Sequence, residues 1–281
     1  VEPSDAAQGH PGWESPWGWG RPGWHLECSA MSAELLGVPF DLHGGGQDLL
    51  FPHHENECAQ SCAALGESQL ARMWVHNGIL RVEGEKMSKS LGNFITVQEA
   101  CQRYGGEVVR WVLLSAHYRH PLNWTESLVT QARASLDRLY GACKGLEDLW
   151  EGSVPVNPPL LGMKFLEALK DDLNTPLALS HLHEAAHAIH KEKFPDPKRE
   201  KAQALYYMMR FLGFFQKTPQ AWFQEGDEGS LTAQEIQDFI DQRHKARLAK
   251  NFSQADRIRA HLEKEGIFLE DTPQGATWRR G

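Results

Sequence analysis

The 281-residue sequence contains no run of about 18 apolar residues, so no segment is built as a membrane-spanning helix. Positive charge is scarce. Against 37 Asp and Glu there are only 29 Lys and Arg, a net charge of -8, which argues against nucleic-acid binding through bulk charge alone. Cysteines are few and odd in number: Cys28, Cys58, Cys62, Cys101 and Cys143. They lack the spacing of a disulfide framework, and the expectation is a reducing, cytoplasmic compartment with thiols available for metal. The N-terminal stretch VEPSDAAQGHPGW has neither a basic start nor an apolar core, so it shows no secretory signal. It also lacks an initiator Met, and the chain reads as part of a longer protein. No internal repeat or low-complexity tract is present. With 41% hydrophobic and 23% charged residues, the composition is that of a globular chain long enough for two domains and a small third.

Residues 1–25 are rich in Gly, Pro and Trp and read as turns and extended chain, since Pro fixes φ and Gly frees it. VPFDLHGGGQDLLF reads as a strand running into a glycine turn and then a helix start. MWVHNGILRVEGE reads as a second strand. This α/β pattern gives way after about residue 120 to helices. Leu128, Ala132, Leu136, Leu139, Cys143 and Leu146 recur every three to four residues as one apolar face. Asn174-Thr175-Pro176 is a helix start, and FPDPK closes the helix that follows. Residues 199–216 form a further helix with a broad aromatic face, and together these read as a bundle. Residues 217–230 read as a linker. Thr232 with Glu235, and Ser253 with Asp256, have capping-box spacing, so two helices start there, followed by a short strand and turn. Charge follows this division. Residues 231–281 carry nine basic and eight acidic side chains, leaving the acidic excess in the body and making the tail the least repulsive place for a nucleic acid.

Three segments carry residues that could do chemistry. In FPHHENECAQSC, a helix would put His53 and Glu57 on one face and His54, Cys58 and Cys62 on the next. Both sets suit zinc, which accepts imidazole, thiolate and carboxylate, and spacing does not choose between them. Lys86-Met87-Ser88-Lys89-Ser90, followed by LGNF, puts ammonium groups and hydroxyls on a glycine-flanked loop suited to a polyphosphate. The adjoining Thr96 and Glu99 open a capped helix. His43-Gly44-Gly45-Gly46-Gln47-Asp48 would let a ligand approach the backbone, with Asp48 near a ribose hydroxyl, although a tight turn explains the glycines equally well.

GRPGWHLECSAM, DLHGGGQDLLFPHHENECAQ and GEKMSKSLGNF occur in the order found in cysteinyl-tRNA synthetases, which this chain resembles from about Trp13 onward. The tail, from KARLAKNFSQADRIRAHLEKEGI to TPQGATWRR, is similar to the anticodon-binding end of that family. The resemblance implies an α/β fold followed by α. It comprises a partial class I nucleotide-binding, Rossmann-like catalytic domain over 1–122, a helical bundle over 123–230 and a small mixed α/β module over 231–281. It implies that ATP, with magnesium, activates cysteine to cysteinyl-adenylate, and that cysteine then passes to the 3′ end of tRNA(Cys). It chooses Cys28, His53 and Glu57 as zinc ligands, the metal receiving the substrate thiolate, and sets Trp24 in the cysteine pocket. Lys86 and Lys89 become the catalytic lysines on the ATP phosphates, while Gly44, Gly45, Gly46 and Asp48 contact the adenosine side. Arg247, Asp256 and Asp271 match positions that read anticodon bases, although Asp256 also suits a cap and Asp271 a turn. A cytoplasmic monomer is implied.

The chain departs from the family in two respects. It has no His-x-Gly-His signature, and the early zinc cysteine is missing, leaving three protein ligands. The expectation is therefore a C-terminal portion of the enzyme, unable to charge tRNA alone. A mycothiol-pathway ligase joining cysteine to an amino sugar, or a non-catalytic tRNA- or zinc-binding module, are the alternatives. The tail speaks against the first.

Overall fold

The computed structural model describes residues 11–87, 92, 94–152, 162–224, 231–272 and 275–280, without the side chains of Lys86, Asp271 and Thr272. The chain divides into two compact units, Val1–Glu99 with Ala116–Glu126, and Ala100–Ser115 with Ser127–Gly281. Among the described residues no helix is long and apolar enough to cross a membrane.

The first unit opens with a turn in which Trp13 and Gly20 exchange backbone hydrogen bonds across Ser15–Gly18. Helix α1 (Trp24–Leu36) follows, then strand β1 (Phe40–Gly46), a single turn at Gln47–Leu49, an irregular turn at Leu50–His54 and helix α2 (Glu55–Leu65). The three glycines belong to β1 itself, and not to a turn after it. They pair in parallel with Val75, His76 and Asn77 of β2 (Ala71–Asn77), and the ladder overrides the weak strand preference of glycine. The expected second strand is cut in two. Gly78 donates to the Tyr118 carbonyl at 2.6 Å, and a Cβ there would sit 2.2 Å from His120 backbone. The close crossing ends β2. Strand β3 (Leu80–Val82) then pairs antiparallel with β4 (Glu85–Lys86) and parallel with β5 (Leu122–Trp124). Phe40, Leu70 and Ala71 form the core behind β1 and β2, joined by Val38, Cys58 and Trp74. The parallel pairings are the α/β part of the fold.

The second unit is helical. Helix α3 (Val97–Tyr104) opens with reciprocal bonds between Thr96 and Glu99, and α4 (Gly106–Leu114) follows. Helix α5 (Glu126–Ala142) buries Ala132, Leu136 and Leu139 of the expected face, while Leu128 is only partly buried; the helix ends before Cys143, which is buried, and Leu146, which is partly so. Helix α6 (Met163–Lys170) packs on α7 (Thr175–Lys191), which packs on α8 (Pro195–Phe211). The Asn174 side chain caps α7 by accepting from the Leu177 N–H at 3.1 Å. FPDPK does not close α7. It opens α8, whose first residue is Pro195, because proline suits a position whose N–H needs no partner. Helix α9 (Pro219–Gln224) lies in the stretch expected to be a linker.

At the C-terminal end, α10 (Ala233–Leu248) carries the Thr232–Glu235 capping box. Helix α11 (Phe252–Lys264) is capped by Asn251 and not by Ser253, because the Asn251 side chain accepts from the Gln254 N–H at 3.2 Å. Asp256 is therefore released from any capping role and stands exposed inside the helix. Strands β6 (Ile267–Thr272) and β7 (Gly275–Arg280) form an antiparallel hairpin over a core of Ile236, Ile240, Ile258, Leu262, Ile267 and Trp278. An ion pair of Lys144 with Glu270 at 2.5 Å, and a bond from Arg280 Nε to the Gln224 carbonyl at 3.2 Å, tie this hairpin to the bundle within the unit.

Candidate metal centre

The irregular turn before α2 delivers His53 and His54 from adjacent positions, one to each side of Glu57. His53 precedes the helix, yet the i,i+4 relation still brings its Nε2 within 2.5 Å of Glu57 Oε1. From the neighbouring helix, α1 supplies Cys28. One ligand atom each from Cys28, His53 and Glu57 lie within 4.8 Å of one another. Ser29 Oγ ties the helices together by donating to the Glu57 backbone carbonyl at 3.4 Å. Trp24 stacks on the His53 ring, with centroids 3.9 Å apart and an interplanar angle of 22°, and its own ring is half exposed. Cys58 and Cys62, the other spacing-compatible set, stand 3.9 Å apart, while His54 turns away from them to bond His76.

Burial dominates the electrostatics. Glu57 is 1% exposed, and its carboxyl is pushed up from the usual range by that burial, against the opposing charges of His43 and His25. Burial lowers the His53 imidazole, with His25 adding to the effect. The Cys28 thiol is raised, first by burial and then by the Glu57 and Glu27 charges. His54 is lowered to about 4 by burial and by His43, His76 and His53. A neutral His53 that offers its Nε2 lone pair to a metal carries its proton on Nδ1 and donates it to His25 Nδ1, 2.6 Å away. Glu57 Oε2 is a buried oxygen with no hydrogen-bond partner, although His43 Nε2 approaches to 3.1 Å. A thiol, an imidazole held neutral and a buried carboxylate are a donor set that fits zinc. A bound cation would favour the thiolate and the carboxylate, which burial alone disfavours. His25, on the far nitrogen of His53, is the outer partner that fixes the ring.

The other anticipated residues lie as follows. Gly44, Gly45 and Gly46 sit in β1 beside this cluster, and Asp48 is exposed in the turn after it. A Cβ on Gly45 would meet His54 Cε1 at 2.8 Å, and one on Gly46 would meet Asp48 Oδ1 at 2.4 Å, so both glycines make room for neighbouring side chains. Lys89 and the Lys86 side chain lie outside the described residues, as does the Asp271 side chain, although Asp271 backbone is part of β6. Arg247 is exposed near the end of α10 and Asp256 near the start of α11. Residue spacing alone missed His25, Trp74 and His76, and placed His43 only at the start of the glycine segment. The β1–β2 register sets His43 beside Trp74 and Gly45 beside His76, and no local pattern encodes that pairing.

Comparison with known proteins bears on the same residues. Residues 4–134 match the family model for the catalytic domain of class I (C) tRNA synthetases, and residues 164–216 match the DALR domain. The cysteine–tRNA ligase of Paramagnetospirillum magneticum is 51% identical over 276 residues, covering 96% of this chain and 58% of the relative. That of Rhodospirillum centenum is 51% identical over 277 residues, covering 98% and 59%. The chain thus spans less than two thirds of the length of these curated relatives. A solved ternary complex of Agrobacterium radiobacter K84 LeuRS with tRNA and LeuAMS is similar in fold, with a TM-score of 0.51 and 21% identity over 63% of this chain and 25% of that one.

Proposed function

We propose that this chain, similar to cysteine–tRNA ligases and to the class I (C) tRNA synthetase catalytic domain, supplies the amino-acid-selecting part of an enzyme that activates cysteine with ATP and esterifies tRNA(Cys). The observation that carries this reading is the convergence of Cys28, His53 and Glu57 under Trp24. Bound there, zinc would prefer the sulfur of cysteine to the hydroxyl of serine, a distinction that pocket size alone supplies poorly. The protein's own groups have separate tasks. Cys28, His53 and Glu57 hold the metal, and His25 orients His53 through its Nδ1. Trp24 covers the His53 ring and leaves its other face to the substrate. Gly44, Gly45 and Gly46, with Asp48, serve the adenosine side. Lys86 and Lys89 neutralise the phosphates, with magnesium, as pyrophosphate leaves, an effect exerted mainly on the transition state. Arg247, Asp256 and Asp271 contact anticodon bases.

Two measurements test this. Bound zinc per chain should fall sharply in Cys28→Ser and stay nearly unchanged in Cys62→Ser. The opposite pattern overturns the ligand assignment. In the complete protein that carries this chain, Lys89→Ala should slow cysteine-dependent ATP–pyrophosphate exchange while cysteine affinity is retained. Loss of cysteine affinity with an unchanged single-turnover activation rate would refute the role given to Lys89.

A further inference from the structure

The parallel strands β1 and β2 end against the same short turn. Just past β2, the Gly78 N–H donates to the Tyr118 carbonyl at 2.6 Å. Just past β1, Gln47 Nε2 donates to the Arg119 carbonyl at 2.7 Å. The His120 N–H closes the turn on the His117 carbonyl at 2.9 Å, and a Cβ on Gly78 would come within 2.2 Å of the His120 backbone. Residues 117–120 are thus fixed at the carboxyl ends of a parallel pair, the edge at which open α/β sheets bind their ligands. The turn presents planar side chains in succession. The His117 and Tyr118 rings stack, with centroids 5.0 Å apart and an interplanar angle of 24°. The Arg119 guanidinium lies 5.1 Å from the Tyr118 centroid, and the His120 ring lies 5.6 Å from that of His117. His117 and Tyr118 are half-buried, whereas Arg119 and His120 are exposed.

We propose that residues 117–120 bind the unpaired 3′ end of the RNA substrate, the planar groups taking bases and Arg119 a backbone phosphate. The inference rests on the reading of the protein as a tRNA ligase, and it adds the place where the RNA end docks. Aromatic and cationic groups side by side are the surface that takes single-stranded RNA, because every base offers a face to a ring or a guanidinium plane. A guanidinium also matches the geometry of a phosphate. In a protein of net charge -8, Arg119 supplies at this edge an attraction that bulk charge does not. ATP is the other ligand that uses the same strand ends. Its adenosine falls to the β1 glycines with Asp48, and its phosphates to Lys86 and Lys89, whereas the RNA end has to reach the same edge and needs groups of its own. Gln47 joins the two regions, since it follows the β1 glycines in the chain and its side chain holds the turn.

A cycle that pairs RNA truncation with protein substitution tests the proposal. In the complete protein that carries this chain, binding of tRNA(Cys) is compared with binding of the same RNA lacking its unpaired 3′ nucleotides. Truncation should weaken binding to the unmutated protein by about 5- to 100-fold, the range expected for lost base stacking. It should matter much less in Tyr118→Leu and in Arg119→Gln, where the protein partner is already gone. In both variants, transfer of cysteine from preformed adenylate to tRNA should fall more than cysteine-dependent ATP–pyrophosphate exchange, which proceeds without RNA, a split that general damage to the fold would not produce. Equal binding of both RNAs by the unmutated protein overturns the site, whether or not any variant folds. A truncation effect kept in full by both variants also overturns it. Exchange that falls as far as transfer, with the truncation effect intact, gives the turn to ATP and overturns the RNA assignment. An unmutated protein without cysteine-dependent exchange counts against the ligase reading, while a truncation effect that the variants abolish still upholds the turn.

Discussion

Replacing Glu107 by Gln should destabilise the helical unit by about 2–4 kcal/mol. The carboxylate is buried on α4 and is the acceptor for three donors. Its Oε1 takes the Tyr140 hydroxyl at 2.7 Å and the Gln216 N–H at 3.2 Å, and its Oε2 takes the Phe215 N–H at 2.9 Å. Phe215 has φ +55, a left-handed conformation that costs a non-glycine residue roughly 1–2 kcal/mol, and the carboxylate holds its N–H in place. A glutamine has the same shape but only one acceptor oxygen. Set on the Oε1 side, it keeps Tyr140 and Gln216 and turns its amide N–H toward the N–H of Phe215. One buried donor is then orphaned, at a cost of about 1–3 kcal/mol, and the remaining bonds lose charge assistance worth about 1 kcal/mol each. Relief of the desolvation of a buried charge offsets part of this sum. The net corresponds to a melting point about 4–16 °C lower. Urea and thermal unfolding followed by circular dichroism measure it. Amide exchange at Phe215 and Gln216 localises it, because those two amides should lose protection first. Tyr140→Phe removes one bond and should cost about 1 kcal/mol, and in a double-mutant cycle it should couple to Glu107→Gln. A Glu107→Gln chain as stable as the original within about 0.5 kcal/mol, with Phe215 still protected, would refute the account.

Three further outcomes follow from the packing. Gly45→Ala puts a Cβ 2.8 Å from His54 Cε1 and 3.0 Å from Leu49 Cδ1, so it should cost about 1–3 kcal/mol in a thermal melt, whereas Gly44→Ala, whose nearest neighbour is the Val75 carbonyl at 3.6 Å, should be near neutral. His183 is held below its usual range by burial and by the Arg138 charge. Its neutral form is favoured in the fold while the unfolded chain takes up the proton, so this contribution to stability is full above pH 6.5 and declines as the pH falls through the lowered value; His183→Gln should flatten that dependence in melts recorded across the range. Cys143 is fully buried, and burial followed by the Glu147 charge pushes its thiol up to about 12, so maleimide at pH 8 should label Cys28 well before Cys143, as peptide mapping by mass spectrometry would report.

Local chemistry was enough to determine several elements from the amino-acid sequence. The Thr232–Glu235 box, the Asn174 cap and the apolar face of α5 depend on groups within a turn or two of each other, and their spacing states them outright. The i,i+4 meeting of His53 with Glu57 is of the same kind, and it survives the irregular turn that replaces the expected helix start. Local pattern failed where competing partners were close in sequence or distant in space. Asn251 displaced Ser253 as the cap of α11, and Pro195 opened a helix where the proline-rich stretch read as a terminator. The strand glycines were hidden because their pairing with Val75, His76 and Asn77 is a long-range ladder. The same ladder decided the surroundings of the candidate metal centre. It brought His43 and His76 from separate strands to the two sides of His54, and it put Gly45, with no Cβ, against that ring. Residue spacing left His54 with Cys58 and Cys62, because spacing records only what one helix can do. Tertiary packing turned His54 the other way, since the buried imidazole found its hydrogen-bond partner on β2 and not along its own helix.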